Sequence, residues 1–149
     1  MDSKQSIANE KDVLRIIDAN ANRVREGLRV IEEFCRFTLE DESLTEQVKR
    51  LRHEVTAAVT LVAKDKTLLA SRDSADDVGA ESLVESENKR TSMADVVAAS
   101  FKRVEEGLRV LEEYSKLLPE IGISERFKTL RFKSYEMEKT LRLDEETKP

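Results

Sequence analysis

The sequence predicts an all-α protein, an internally duplicated four-helix bundle built from two αα-hairpins. Three observations predict it. The first is a repeat: Arg23 to Arg36, RVREGLRVIEEFCR, returns 80 positions later as Arg103 to Lys116, RVEEGLRVLEEYSK, with nine of fourteen residues identical. A gapless match of that density marks an internal duplication. The second is period. Val13, Ile17, Val24, Leu28, Ile31 and Cys35 form one helical stripe, matched in the second repeat by Val97, Val104, Leu108, Leu111 and Ser115. The third is composition. Charged residues make up 38%, aromatics 5%, there is no Trp, and only two prolines and four glycines occur, as in helix-rich rather than sheet proteins.

Taken in order, residues 1–9 are polar and expected to fray, with Asn9 as the cap of a first helix reaching about Leu39. Ser43 with Glu46 reads as a capping box for a second helix, whose buried face is Leu44, Val48, Leu51, Val55, Val59 and Val62. Leu68 to Ala70 reads as a short terminal turn. Residues 71–91 are the least periodic stretch and are long for a connection inside a compact domain. Ser92 with Asp95 caps a third helix that stops near Leu118, before Pro119. Ser124 caps a fourth, carrying Phe127, Leu130, Ser134, Met137 and Leu141. The tail from Asp144 should fray. The chain thus reads as one domain, 1–149, with halves at about 10–70 and 92–143 joined by the 71–91 loop. Two long helix–turn–helix units with matching stripes are expected to close on each other.

Two features sit oddly in plain solvated helices. Gly27 and Gly107 occupy equivalent mid-helix places, where glycine costs roughly 1 kcal/mol against alanine. Close approach by another helix or a ligand would explain them. Asn20 falls inside the apolar stripe, so its amide must find partners. Arg23 and Glu32 border that stripe on opposite sides.

Composition also excludes. Net charge is −5 with both signs interleaved, and no basic arm suggests nucleic acid. One Cys precludes an intrachain disulfide framework. No apolar run approaches a membrane span, and no secretory leader opens the chain, so a cytoplasmic protein is expected. There is no Gly-rich phosphate loop, and the single His53 cannot anchor a His-rich metal site. What remains is arginine and carboxylate. These form either ion-pair ladders along the helices or a phosphate and Mg2+ site, since arginines grip phosphate and carboxylates hold Mg2+ between its oxygens. Likewise the loop reads either as an acidic linker or as part of a site.

Several strings carry a more specific signal. RIIDANANRVREGLRVIE at residues 15–32 is one. Leu51-Arg52-His53, Arg72-Asp73-Ser74 with Asp77-Val78-Gly79, Ser86-Glu87 and Arg90 follow, then Arg103 to Arg109 with Glu112-Glu113-Tyr114. Together they resemble the monofunctional hydroxymethylpyrimidine phosphate kinases of thiamin biosynthesis, often fused ahead of thiamine-phosphate synthase. The resemblance implies phosphoryl transfer from ATP, with Mg2+, to a small-molecule substrate, hydroxymethylpyrimidine monophosphate. It makes Asn20 and Arg23 the groups that orient the pyrimidine phosphate, and Arg72, Arg90 and Arg103 phosphate binders. Asp73, Asp77 and Glu87 become the catalytic pool, with Asp73 and Asp77 holding Mg2+. Glu26, Glu32, Glu106 and Glu112 would buttress the arginines. The repeats differ at Asp18, Asn20 and Arg25, which become Ala98, Ser100 and Glu105, so one mixed site is expected rather than two equal ones. No β/α barrel follows the bundle, so the chain is not expected to carry the synthase chemistry itself.

The alternative reading is a non-catalytic helical module that binds or regulates thiamine-phosphate synthase. Either reading allows a homo-oligomer. Geometry discriminates between them: an enzyme should gather the loop arginines and carboxylates into one pocket, whereas a binding module should disperse them and expose an apolar patch.

Overall fold

The computed structural model describes the backbone of residues 3–81 and 89–147 and the side chains of residues 9–81 and 89–143. Among the described residues there are five helices and no strand: α1 (Ser3–Phe37), α2 (Glu42–Val62), α3 (Asp65–Ser71), α4 (Met93–Ser115) and α5 (Ile123–Thr147). The long helices form a ring in the order α2, α1, α4, α5. The α1–α4 pair packs most extensively and the α2–α5 pair least, while α3 leans on α1.

The stripes read from the sequence are the core. Val13, Ile17, Val24, Leu28, Ile31 and Cys35 of α1 are buried, as are Val97, Val104, Leu108, Leu111 and Ser115 of α4 and the six apolar residues of α2. On α5, Phe127, Leu130, Ser134 and Leu141 are buried and Met137 packs against them. The ends differ from expectation. Asn9 lies inside α1, which begins at Ser3. The cap of α2 is Asp41, whose side chain accepts the Leu44 N–H at 2.9 Å; a carboxylate two residues upstream of Ser43 reaches the free N–H groups first. Ser92 does cap α4, accepting from Asp95 N at 3.1 Å. That helix ends at Ser115, and looser turns carry the chain to Leu118. Gly122, at φ +90°, turns the chain into α5, so Ser124 is already helical.

The two mid-helix glycines lie at the α1–α4 contact. A Cβ on Gly27 would stand 2.8 Å from Val104 Cγ2 and 3.1 Å from the Ser100 carbonyl oxygen. A Cβ on Gly107 would stand 2.5 Å from Val24 Cγ2 and 3.5 Å from the Asn20 carbonyl oxygen. Each residue in one set stands 80 positions from its counterpart in the other, the reciprocity of a pseudo-twofold axis between α1 and α4.

A second pair of contacts repeats the symmetry. Glu32, on α1, takes Arg29 at 2.9 Å and Arg52 of α2 at 3.2 Å. Glu112, on α4, takes Arg109 and, at 3.2 Å, Arg131 of α5. Both carboxylates are buried, and each pins the second helix of its own hairpin to the first. Among the described residues no helix is long and apolar enough to cross a membrane.

Candidate functional site

Helix α1 contributes to two clefts. The first, about 640 Å3, is walled by Asp12, Arg15, Asp18, Asn20 and Asn22 of α1 and by Arg72, Asp73, Ser74 and Asp77 of the segment after α3. The second, about 950 Å3, lies between α1 and α4. It is lined by Arg23, Glu26, Gly27 and Val30 from one side, Ala99, Ser100, Lys102, Arg103 and Glu106 from the other, and Arg90.

The clefts are related by the duplication. Ile16, Ala19, Asn20 and Asn22 in the first correspond to Val96, Ala99, Ser100 and Lys102 in the second. Their charges are opposite. The α1–loop cleft sets four aspartates against two arginines, and the α1–α4 cleft sets four cations against two glutamates. A phosphate-bearing ligand is favoured only in the second.

The expected site residues therefore divide. Arg23, Arg90 and Arg103 converge on the α1–α4 cleft, with Glu26 and Glu106. Arg23 donates from Nη1 to Asn20 Oδ1 at 3.0 Å, while Asn20 Nδ2 donates to the Ile16 carbonyl at 2.9 Å. Asn20 is thus satisfied within its own helix and orients Arg23 from the border of the two clefts. Arg23 and Arg103 make no ion pair among the described residues, so Glu26 and Glu106 do not buttress them. Arg90 Nη1 donates to the Lys89 carbonyl at 2.8 Å. Glu32 and Glu112 line neither cleft and serve the hairpins instead.

Arg72, Asp73 and Asp77 fall in the other cleft. Arg72 grips Asp18 through two hydrogen bonds, Nε to Oδ2 at 2.8 Å and Nη2 to Oδ1 at 2.9 Å. That geometry commits its guanidinium to the protein and clasps the loop to α1. Arg15 Nη2 adds a bond to the Asp73 carbonyl at 3.4 Å. Asp73 accepts from the Asp76 N–H and Asp77 from the Gly79 N–H, at 3.3 and 2.9 Å, so both carboxylates shape loop turns. Among the described residues no three His, Cys, Asp or Glu side chains converge to hold a metal. Glu87 lies outside the described residues.

Asp18 was not among the expected site residues, although it is 6% exposed and anchors the loop. Its signal was the asymmetry of the repeat, since its counterpart is Ala98. The same asymmetry supplies a test. Arg72→Ala should lower stability by leaving Asp18 unpaired and should speed amide exchange in residues 73–77. Asp18→Ala added to it should recover part of the loss, because alanine is the residue the other half carries there. A double variant no more stable than Arg72→Ala in denaturant melts would refute the clasp.

Comparison with known proteins sets this geometry in context. A family model described as the ThiD2 family matches residues 15–140. The thiamine-phosphate synthase of Nostoc punctiforme is 46% identical over 129 residues, covering 87% of this chain and 35% of that protein. That of Synechocystis sp. is 44% identical over 135 residues, 90% of this chain and 37% of its own. That of Rhodopirellula baltica is 46% identical over 109 residues, 73% and 29% of the two chains. The chain spans about a third of the length of these curated relatives. No solved structure matches it.

These names correct the kinase expectation. Transfer of a phosphoryl group from ATP to hydroxymethylpyrimidine monophosphate is a different activity from the one the relatives are named for. The reading of this chain as that phosphotransferase is withdrawn. The thiamin-biosynthesis setting stands.

Proposed function

The chain belongs to the ThiD2 family, and from that premise we propose that it is a non-catalytic helical module that binds and regulates thiamine-phosphate synthase. The observation that carries the reading is the alignment itself. Proteins named thiamine-phosphate synthase contain a region like this chain in about a third of their length, and the remaining polypeptide is a partner for it.

Two structural features support the same reading. The arginines and carboxylates that an enzyme would gather are divided between two clefts. In addition, a groove of about 650 Å3 runs between α2 and α5, the least packed neighbours in the ring of long helices, with Leu51, Phe132 and Met137 in its lining. Phe132 is half exposed there. An apolar groove rimmed by charge suits a docking face of the modest, reversible kind found between domains. The synthase portion is its proposed occupant.

The α1–α4 cleft is the proposed effector site, taking a small phosphorylated molecule between Arg23, Arg103 and Lys102. ATP enters only as one phosphate-bearing candidate for that cleft. The test mixes this protein with a purified thiamine-phosphate synthase and follows complex formation by analytical ultracentrifugation and synthase turnover by assay. A complex of micromolar affinity is expected, weakened about tenfold by Phe132→Asp, since an anchor residue in an interface is worth roughly 1–2 kcal/mol or more. No complex, with turnover unchanged at saturating module, would end the proposal.

A further inference from the structure

A group of charges beneath the α1–α4 cleft ties α4 to α5. Lys102 lines the cleft, and its Nζ lies 3.3 Å from Glu105 Oε1 and 3.5 Å from Glu138 Oε1. Arg142, further along α5, donates to Glu138 Oε2 at 2.8 Å. Glu105 is 5% exposed, and its Oε2 is buried with no hydrogen-bond partner. A buried carboxylate oxygen without a donor, near a second carboxylate, is costly. A proton relieves both problems, because the neutral carboxyl becomes a donor toward Glu138.

Burial first, then the hydrogen bond that the protonated form donates to Glu138 and the charge of Glu138, push the Glu105 carboxyl up to about 7, against the pull of Lys102. The duplication isolates this feature in one half. At the equivalent place α1 has Asn22 and Arg25, joined at 2.8 Å, so the buried carboxyl is a feature of the half that carries the basic cleft.

We propose that the α1–α4 cleft takes up its anion together with a proton, held by Glu105 with Glu138. The inference rests on the reading of that cleft as an anion site. Ionised Glu105 holds the charge of Lys102 and adds its own negative charge under the ligand. Protonated Glu105 leaves Lys102 with Glu138 alone and the cleft more positive. By linkage, a bound anion favours the protonated carboxyl in return. The one histidine, His53, lines a different groove on α2.

Sulfate is the probe, because its double charge is constant across the range. It is titrated calorimetrically into the full chain at about pH 6 and about pH 8, in two buffers of different ionisation enthalpy. Affinity should be about fivefold higher at the lower pH, with net proton uptake near pH 7. Glu105→Gln should abolish both effects. Glu138→Gln, available if the first variant folds poorly, should move the pH step downward, because it removes the charge that raises Glu105. Equal affinity at both pH values, or a step that persists in Glu105→Gln, overturns proton coupling and leaves the anion cleft standing. No sulfate binding at either pH, with Arg103→Ala indistinguishable from the unaltered chain, overturns the cleft reading and the coupling together.

Discussion

Alanine at Gly107 should destabilise the protein by about 1–3 kcal/mol, the usual cost of overpacking. Helix propensity alone argues the reverse, since alanine is better than glycine by roughly 1 kcal/mol in a helix interior. The contact decides between them. The added methyl carbon would sit 2.5 Å from Val24 Cγ2, far inside van der Waals separation, and valine has one strongly preferred rotamer in a helix. Relief requires α1 and α4 to part. Gly27→Ala should act in the same direction, against Val104 Cγ2 at 2.8 Å and the Ser100 carbonyl at 3.1 Å. Val24→Ala should rescue Gly107→Ala specifically, leaving a double variant more stable than the sum of the single effects. Urea denaturation measures the parent and all four variants. A Gly107→Ala protein more stable than the parent would remove close helix approach as the explanation of the matched glycines.

Arg131→Met should cost more, about 3 kcal/mol, because it strands a buried carboxylate. Glu112 is 3% exposed. Arg131 Nη2 reaches both its oxygens, at 3.2 and 3.3 Å, and the guanidinium also donates to the Tyr135 hydroxyl at 3.1 Å. The other partner, Arg109, is more than half exposed and hydrated, so Arg109→Met should change stability by less than about 1 kcal/mol. Replacing both Glu112 and Arg131 by leucine should restore most of the loss, since it removes the charge as well as its partner. An Arg131→Met chain within about 0.5 kcal/mol of the parent would mean that water reaches Glu112 after all.

The architecture was legible because helical period and repetition act over many residues at once. A stripe such as Val24, Leu28, Ile31 and Cys35 leaves α1 one face to bury, and the 80-residue repeat leaves it one partner. Helix ends were less legible. Asp41 and Ser43 are both good caps, and the choice depends on where the preceding turn releases the chain, here at Glu40 with φ 50°. The candidate site was legible by residue type and not by grouping. Arg72 and Arg90 look alike in sequence, but one is gripped by Asp18 and the other lies in the basic cleft. That difference is set by side chains about fifty positions away. Lys102 and Glu105 were visible as departures from the repeat, at the places of Asn22 and Arg25. The burial of Glu105 and the approach of Glu138 to Lys102 appear only when α5 is packed against α4.

The reciprocal contacts of Gly27 with Val104 and of Gly107 with Val24 bear on the protein's ancestry. An interface in which each side offers the same patch to the other is what two identical chains form in a symmetric dimer. A single hairpin of this kind can cover α1 only with another copy of itself, and a dimer so formed carries two equal clefts by symmetry. Joining both halves in one polypeptide removes the requirement that they share one sequence. Asp18, Asn20 and Asn22 differ from Ala98, Ser100 and Lys102 accordingly, and of two equivalent clefts one is acidic and clasped by Arg72 while its twin is basic.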